Sequence, residues 1–395
     1  MPNTILTPSM VTREALRVLH QKLNFVGNVV RDYDDSFAKK GAKIGDTIKV
    51  RLPNQYQVRT GAALSPQDTT ESSVSLQIST QKGVDLNFTS SELTLSLDDF
   101  SDRILQPAMS VLAATIEADA LSMALDVYQV VNNIGSAITL KNVLTGRKAL
   151  QDALTPADGN RTCLLNTQDN VDLIDALKGL FQDSTAISKQ YKEGIMGRTA
   201  GFDFYENTLL ANQATGTAAS ATTYTVNGAS QVGSGVVVAT GATTFKKGDV
   251  ITFAGCNRVH PETKADTGVL QQFVVTADYA GGAGTIAVSP AIVTSGGAQN
   301  VSASPTNGGA VTKVGGASAI YKPSMVFHKE AFAFATADLL MPQGVHFAAR
   351  EVMDGVSMRI VQQYDINNDK FPCRLDVLYG YKTLRAQLAA RILSN

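Results

Sequence analysis

Residues 96–133 read SLDDFSDRILQPAMSVLAATIEADALSMALDVYQVVNN, and this stretch decides the fold. After Pro107, apolar residues recur at helical spacing as far as Val131, and others lie off that stripe. A helix that is apolar around most of its circumference lies inside a large fold. We therefore predict one long buried helix, kinked or restarted at Pro107, that extends roughly 37 Å from Ala108 to Asn132 at ~1.5 Å per residue.

Carboxylates mark both the start and the interior of this predicted helix. Ser96 and Asp99 resemble a capping box, whose side chains satisfy free N–H groups of the first turn. Glu117, Asp119 and Asp126 interrupt the apolar run too often for a bilayer span. We therefore predict a core helix, and no membrane among the partners.

The composition limits the class of protein. The chain has 395 residues, 44% of them hydrophobic, which is enough for a sizeable core and two or three domains. The formal net charge of −1 gives no sign of the basic patch that nucleic-acid binding favours. Three widely spaced cysteines predict free thiols in a reducing compartment. The first ten residues show no signal-peptide pattern, so we expect synthesis in a cytoplasm.

The first part of the chain is predicted to be an arm followed by a loop. Residues 1–42 contain a helix capped by Thr7, whose narrow apolar stripe over 11–26 packs either on its own domain or on a neighbouring subunit. Residues 43–89 change to a period of two, which is typical of strands with one apolar face. We interpret them as a long two-stranded loop with a polar tip at 61–73, which needs a partner to cover it.

Residues 90–133 hold the long helix, and residues 134–213 are predicted to be mixed α/β. In the latter region the pattern predicts helices over 140–154 and from Asn166 or Thr167 through Phe181, and strands at 162–165 and 202–205.

Residues 214–318 differ in composition from the rest of the chain. They hold 17 of the 32 glycines and nine charged residues, and short β-rich runs alternate with turn signals such as Asn227-Gly228. We predict a small β-barrel or sandwich inserted into the parent domain, with its two ends close together. The parent fold then resumes in residues 319–395, with two antiparallel strands at 356–364 and 374–381 and a final short helix or tail.

The sequence contains no pattern that indicates catalysis. None of the four histidines has a second histidine or a cysteine at ligand spacing, and no P-loop, CxxC or nucleophile-elbow pattern occurs. The adjacent Asp98 and Asp99 point in different directions, so they do not suit paired acid/base work. Cys373 follows a proline in a predicted strand and is typical of a small buried residue. We predict no catalytic, cofactor-binding or metal-binding residues.

The order of these segments resembles a known architecture. The two-stranded loop at 46–52 and 74–88, the helix at 97–131 and the inserted β domain are together similar to the major capsid proteins of tailed bacteriophages. The insertion boundary after Ala200-Gly201-Phe202-Asp203 and the run FKKGDVITFAG at 245–255 look most like the branch of P22-type coat proteins. The resemblance implies an α+β, HK97-like capsid fold, in which residues 134–213 and part of 319–395 form an axial domain and residues 97–131 a spine helix.

The same resemblance implies a role in assembly rather than an enzyme. Copies of the chain would form the pentamers and hexamers of an icosahedral shell, assembled in the host bacterial cytoplasm and located in the virion. The implied partners are other copies of the chain, a scaffolding protein, a portal protein and weakly bound double-stranded DNA, with room for a decoration protein. The loop at 43–89 would lie over a neighbouring subunit.

Two other interpretations stay open from the residues alone. A cell-surface or adhesin-type structural protein would account for the β-rich residues 214–318, but it would be expected to carry a signal peptide. An enzyme could be built around Cys163 and Asn166 in the α/β region, although no base lies near them in the sequence.

Overall fold

The computed structural model describes residues 8–31, 47–59, 61–64, 66, 71–89, 106–177, 197–353, 355–367 and 370–394. In this part of the chain strands outnumber helices, so the fold is mixed α/β and dominated by strands. The α-helices are α1 Pro8–Lys22, α2 Gln106–Leu121, α3 Leu140–Asp152 and α4 Thr167–Leu177. The strands are β1 Thr47–Arg51, β2 Ser73–Gln77, β3 Thr80–Thr89, β4 Val130–Asn132, β5 Arg161–Leu165, β6 Arg198–Thr199, β7 Phe202–Glu206, β8 Gln213–Ala214, β9 Ala221–Val226, β10 Gly233–Ala239, β11 Val250–Val259, β12 Asp266–Val275, β13 Gly284–Ile292, β14 Ala310–Lys313, β15 Ile320–Tyr321, β16 Ser324–His328, β17 Phe332–Ala337, β18 Phe347–Met353, β19 Val356–Gln362, β20 Lys370–Thr383 and β21 Ala389–Leu393.

The chain divides into two compact units, each made of several segments. The first comprises Met1–Val50, Val74–Leu121 and Phe332–Leu384. The second comprises Arg51–Ser73, Ser122–Ala331 and Arg385–Asn395.

The first unit is built around the long strand β20. β17 and β19 pair with one side of β20, β3 pairs antiparallel along the other side, and β18 extends the sheet beyond β19. The antiparallel pairing of β19 with β20 confirms the prediction for the two long strands at 356–364 and 374–381. Helix α1 packs against α2, β18 and β19, so in this structure the arm helix lies on its own unit. Its predicted stripe is buried, with Val11 8% and Leu19 0% exposed.

The strands predicted in residues 43–89 are present, but the predicted loop strand at 74–88 is divided into β2 and β3. β1 and β2 form a two-stranded sheet with alternating exposure, as the period of two predicts. β3 is instead an edge strand of the five-stranded sheet, in register with β20 from Thr80 to Thr89. Leu76 and Ile78 are fully buried in a cluster with Leu378 and alanines of β17. The base of the loop therefore shares an apolar core with the five-stranded sheet, which the sequence pattern did not reveal.

The predicted long helix is shorter than expected. Helix α2 ends at Leu121, a 3-10 helix follows from Ser122 to Asp126, and β4 begins at Val130. The helix therefore extends about 24 Å at ~1.5 Å per residue. The predicted capping box at Ser96 and Asp99 lies outside the described residues. Among those described, Gln106–Asp126 is one helical stretch with the length and composition of a membrane span, and half of it is buried inside the protein.

The second unit contains a mixed six-stranded sheet in the order β4-β21-β16-β5-β7-β6. β5 pairs parallel with β7 and antiparallel with β16. β21 lies between β4 and β16 and is buried along its whole length. The prediction of a final helix or tail is therefore wrong, because the chain ends in an internal strand of this sheet. Helix α3 matches the predicted helix at 140–154 and begins with a capping box made by Thr139 and Asn142.

The same unit contains a closed barrel of six strands in the order β10-β13-β12-β11-β14-β9. Its interior is filled by apolar side chains, including Tyr224, Phe245, Phe253 and Phe273. At the point where the chain enters and leaves this region, β8 pairs antiparallel with β15. The Thr215 N–H also donates to the Ala319 carbonyl at 2.8 Å, so the two connections lie side by side.

Candidate functional site

Three large apolar side chains on the loop between β1 and β2 are exposed to solvent. Tyr56, Val58 and Leu64 are 57%, 94% and 84% exposed. The base of the loop is closed by a hydrogen bond of 2.9 Å from the Leu52 N–H to the Ser72 carbonyl. Apolar side chains that stand this far into solvent are stabilised when another molecule covers them, so the loop is a candidate assembly surface.

A side chain of the barrel, Gln272, forms two hydrogen bonds with the backbone of strand β4 in the six-stranded sheet. The Gln272 side-chain oxygen accepts from the Val130 N–H at 2.7 Å, and its Nε2 donates to the Val130 carbonyl at 3.0 Å. Val130 and Leu393 of the sheet pack against Val250 and Val274 of the barrel. This apolar contact and the paired hydrogen bonds fix β12 against β4.

Arg391 is a fully buried charge at this junction, with an exposed fraction of 0%. Its Nη1 donates to the Gln213 side chain at 2.7 Å, and its Nη2 donates to the Gly248 carbonyl at 3.0 Å. Burial lowers the pKa of Arg391 to about 10, and the carboxylates of Asp249 and Asp126 act in the opposite direction. The guanidinium is therefore charged at neutral pH and ties β21 to the turn that opens the barrel strand β11.

A third contact joins the barrel to helix α3. Asp152 accepts from Arg258 of β11 at 2.8 Å and from Lys148 at 2.7 Å. Burial acts to raise the pKa of Asp152, but the hydrogen bonds from Lys148 and Arg258 outweigh it, so the pKa is lowered. The carboxylate therefore stays ionised and bridges two elements.

In the first unit, Glu117 of helix α2 anchors the segment that follows the arm helix. Its side chain is 1% exposed and accepts hydrogen bonds from the backbone N–H groups of Phe25 and Val26, the latter at 3.2 Å. The Phe25 ring packs edge-on against Phe332 of β17, with 5.4 Å between the ring centroids. A carboxylate in an apolar helix is costly unless it is hydrogen-bonded, and here it satisfies two buried backbone donors. Sequence reasoning noted Glu117 only as an interruption of the apolar run.

Asn166 and Cys163, the residues considered for an enzyme site, have contacts that stabilise the fold. Asn166 caps helix α4, since its side-chain oxygen accepts from the Asp169 N–H at 2.7 Å. Asp169 in turn accepts from Asn166 Nδ2 at 2.9 Å and from Ser324 Oγ at 2.5 Å. Burial raises the pKa of Asp169. These contacts join helix α4 to β16, and Cys163 lies fully buried in the adjacent strand β5.

The three cysteines are free, as their spacing predicts, and all three are buried. Burial raises the pKa of the Cys256 and Cys373 thiols to about 12 and raises the pKa of Cys163 as well. Within the described ranges no group of three or more His, Cys, Asp or Glu residues is placed to hold a metal ion.

We expect the folded protein to resist alkylation by iodoacetamide at about pH 8, because the thiolate is the reactive form and a raised pKa leaves little of it. Mass spectrometry should find the native protein unmodified and the denatured protein alkylated at Cys163, Cys256 and Cys373. Rapid labelling of one cysteine in the native protein would contradict the burial described here.

The family comparison covers most of the chain. The model of the family described as P22 coat protein - gene protein 5 matches residues 26–390. Among curated proteins no sequence matches this chain significantly. The family match gives no support to the alternative of an adhesin-type protein.

Several solved structures are similar to the chain over most of its length. One from Mycobacterium phage Che8 has 13% identity and a TM-score of 0.46, and the match covers 94% of this chain and 90% of that one. The capsid structure of the cyanophage P-SCSP1u has 11% identity and a TM-score of 0.41, with 90% and 84% covered. The asymmetric unit of the bacteriophage PhiM1 mature capsid has 9% identity and a TM-score of 0.40, with 89% and 82% covered.

Proposed function

Because this chain belongs to the P22 coat protein family, we propose that its copies assemble into an icosahedral shell of pentamers and hexamers around packaged double-stranded DNA. Membership makes the chain a bacteriophage major capsid protein, and its place is the virion capsid. The observation that carries this conclusion is a family match from residue 26 to residue 390.

The finer architecture is part of the proposal. We assign an HK97-like fold with an arm at 1–42, an extended loop at 43–89, a spine helix and peripheral domain at 90–133 and an axial domain at 134–213. We assign the inserted β domain to 214–318 and the C-terminal part of the axial and peripheral domains to 319–395. The closed barrel with its own apolar core and the pairing of β8 with β15 support the boundaries of the insertion.

The further partners are proposed from the family and from the charge of the chain. We propose a scaffolding protein and a portal protein during assembly in the bacterial cytoplasm, with room for a decoration protein on the finished shell. A formal net charge of −1 suits weak, non-specific contact with DNA, since tight phosphate binding needs many basic side chains. We propose no catalytic, cofactor or metal site, and the buried thiols support a structural role.

The loop between β1 and β2 is the proposed contact with a neighbouring subunit. We expect the triple variant Tyr56→Ser, Val58→Ser and Leu64→Ser to yield a soluble, folded subunit that forms few or no closed shells. These side chains are exposed in the isolated chain, so their removal costs the subunit little stability, whereas an interface loses roughly 1–3 kcal/mol for each well-buried apolar side chain. Negative-stain electron microscopy of protein co-expressed with its scaffolding protein measures the outcome.

A matched control is Val232→Ser, which removes a 57% exposed valine from the barrel region. We expect this variant to give closed shells. Normal shells from the triple variant would contradict the assigned role of the loop. A small, uniform oligomer from the unmodified protein, even with scaffolding protein present, would contradict the capsid proposal itself.

A further inference from the structure

The loop between β1 and β2 has a close backbone contact with the barrel region of its own unit. A side-chain Cβ added at Gly297 would lie 2.4 Å from the Gln55 carbonyl oxygen and 3.3 Å from the Tyr56 nitrogen. Carbon atoms do not approach backbone oxygen this closely, so the contact requires a residue without a side chain. Gly297 lies in the connection between β13 and β14, and its φ is not in the left-handed region. The space taken by Gln55 is therefore the reason that glycine is needed at this position.

A polar cleft of about 250 Å³ lies beside this contact. Gln55 forms one wall, and its other lining includes Gln299 and Asn300 from the connection after β13, Arg258 from β11, and Tyr128 and Gln387 from the sheet side. Gln55 is thus the residue of the loop that contacts the barrel region, whereas the apolar side chains that follow it, Tyr56 and Val58, are exposed to solvent. The loop segment therefore contacts the barrel region through Gln55 and exposes the side chains of Tyr56 and Val58 to solvent.

We propose that the Gln55–Gly297 contact, which we call the bracket, fixes the direction of the loop between β1 and β2. In this direction Tyr56 and Val58 face a second copy of this chain. The proposal rests on the proposed function and adds a role in assembly for the inserted region. A loop of this length with exposed polar residues has many conformations in water, and ordering it costs roughly 1–2 kcal/mol per residue of backbone. Contact of the loop segment around Gln55, which we call the leg, with the rigid barrel removes part of that entropic cost before subunits meet. This favours association of the subunits.

Bifunctional cross-linking tests whether the bracket is kept in the shell. The variant carries Gln55→Cys and Gln299→Cys, which place two accessible thiols on the same cleft. The native thiols are buried and do not compete for a short bis-maleimide. Shells of the variant are purified and treated with the reagent, and the products are separated by denaturing electrophoresis and mapped by mass spectrometry. Each single-cysteine variant is the control for links to other sites.

The expected product is a link within one chain, at the size of a monomer. A ladder of dimers and larger species would overturn the proposal, because the leg would then lie on the barrel of a neighbouring copy. An absence of any link between the two cysteines would overturn it as well, because the leg would have left the barrel. Both of these results require closed shells and so would leave the capsid proposal standing, whereas failure of the unmodified protein to form shells would count against the proposed function.

A steric variant tests whether the contact matters for assembly. Gly297→Val is expected to displace the leg, to speed tryptic cleavage after Arg59 at least about tenfold, and to give open or misshapen shells. The matched control is Gly27→Ala, since an added Cβ there meets nothing within 4 Å and the φ is ordinary. Wild-type shells from Gly297→Val, with the cleavage after Arg59 accelerated, would overturn the proposed bracket.

Discussion

Replacing Arg391 with methionine is expected to lower the free energy of unfolding of the subunit by about 3–5 kcal/mol. The substitution keeps a similar volume but removes the donors to the Gln213 side chain and the Gly248 carbonyl. It also removes one of two positive charges near the fully buried carboxylate of Asp249, the other being the buried Lys313. Removal of one member of a buried charged network costs far more than the network contributes as a whole, because the remaining groups stay buried and unpaired.

Urea unfolding of the unassembled subunit, followed by circular dichroism, measures this change. Arg51→Met is the matched control, because Arg51 forms an exposed ion pair with Glu71 at 3.2 Å and its side chain is 77% exposed. An exposed pair of this kind contributes up to about 1 kcal/mol. Equal effects of the two substitutions would show that Arg391 does not hold the barrel against the sheet.

The second large effect is expected for Glu117→Ala, which should lower the free energy of unfolding by about 2–5 kcal/mol. The carboxylate accepts from the N–H groups of Phe25 and Val26, and each buried donor left without an acceptor costs roughly 1–3 kcal/mol. We also expect faster hydrogen exchange at these two amides, because the segment after α1 loses its attachment to α2. Hydrogen exchange followed by mass spectrometry measures the second effect.

Two variants sharpen this experiment. Glu117→Gln keeps one side-chain oxygen as an acceptor and should lose less stability than Glu117→Ala. Glu14→Ala removes a carboxylate that pairs with Arg17 on the partly exposed side of α1, and it should change stability by less than about 1 kcal/mol. If exchange at Phe25 and Val26 is the same in all four proteins, Glu117 does not anchor this segment.

Local patterning predicted the strands better than their partners. The alternation in residues 43–89 identified β1, β2 and β3, and the short β-rich runs predicted in the glycine-rich region are strands in the structure. The pairing of β3 with β20 joins residues that lie far apart in the chain, and a period of two carries no information about it. The segment AARIL at 389–393 is rich in helix-forming residues, but the space between β4 and β16 imposes a strand.

The end of α2 was missed for a related reason. No proline or glycine lies between Leu121 and the end of β4, and the apolar residues continue in both the 3-10 helix and β4, so helical periodicity gave no stop signal. The anchoring side chains did leave a signal that could have been used. Glu117 and Arg391 are charges inside largely apolar runs, and such residues are rarely buried without a specific partner. The identity of the partner depends on tertiary structure and could not have been read from the sequence.

The burial of the cysteines has a consequence for the lifetime of the particle outside the cell. A coat protein is made where thiols are kept reduced, but the finished particle then meets dissolved oxygen with no enzyme to reverse damage. Oxidation of cysteine follows exposure and the fraction of thiolate, and here both are low at Cys163, Cys256 and Cys373. The thiols of the shell are therefore expected to resist oxidation. Oxidative damage should begin at other residues, such as the exposed Met10.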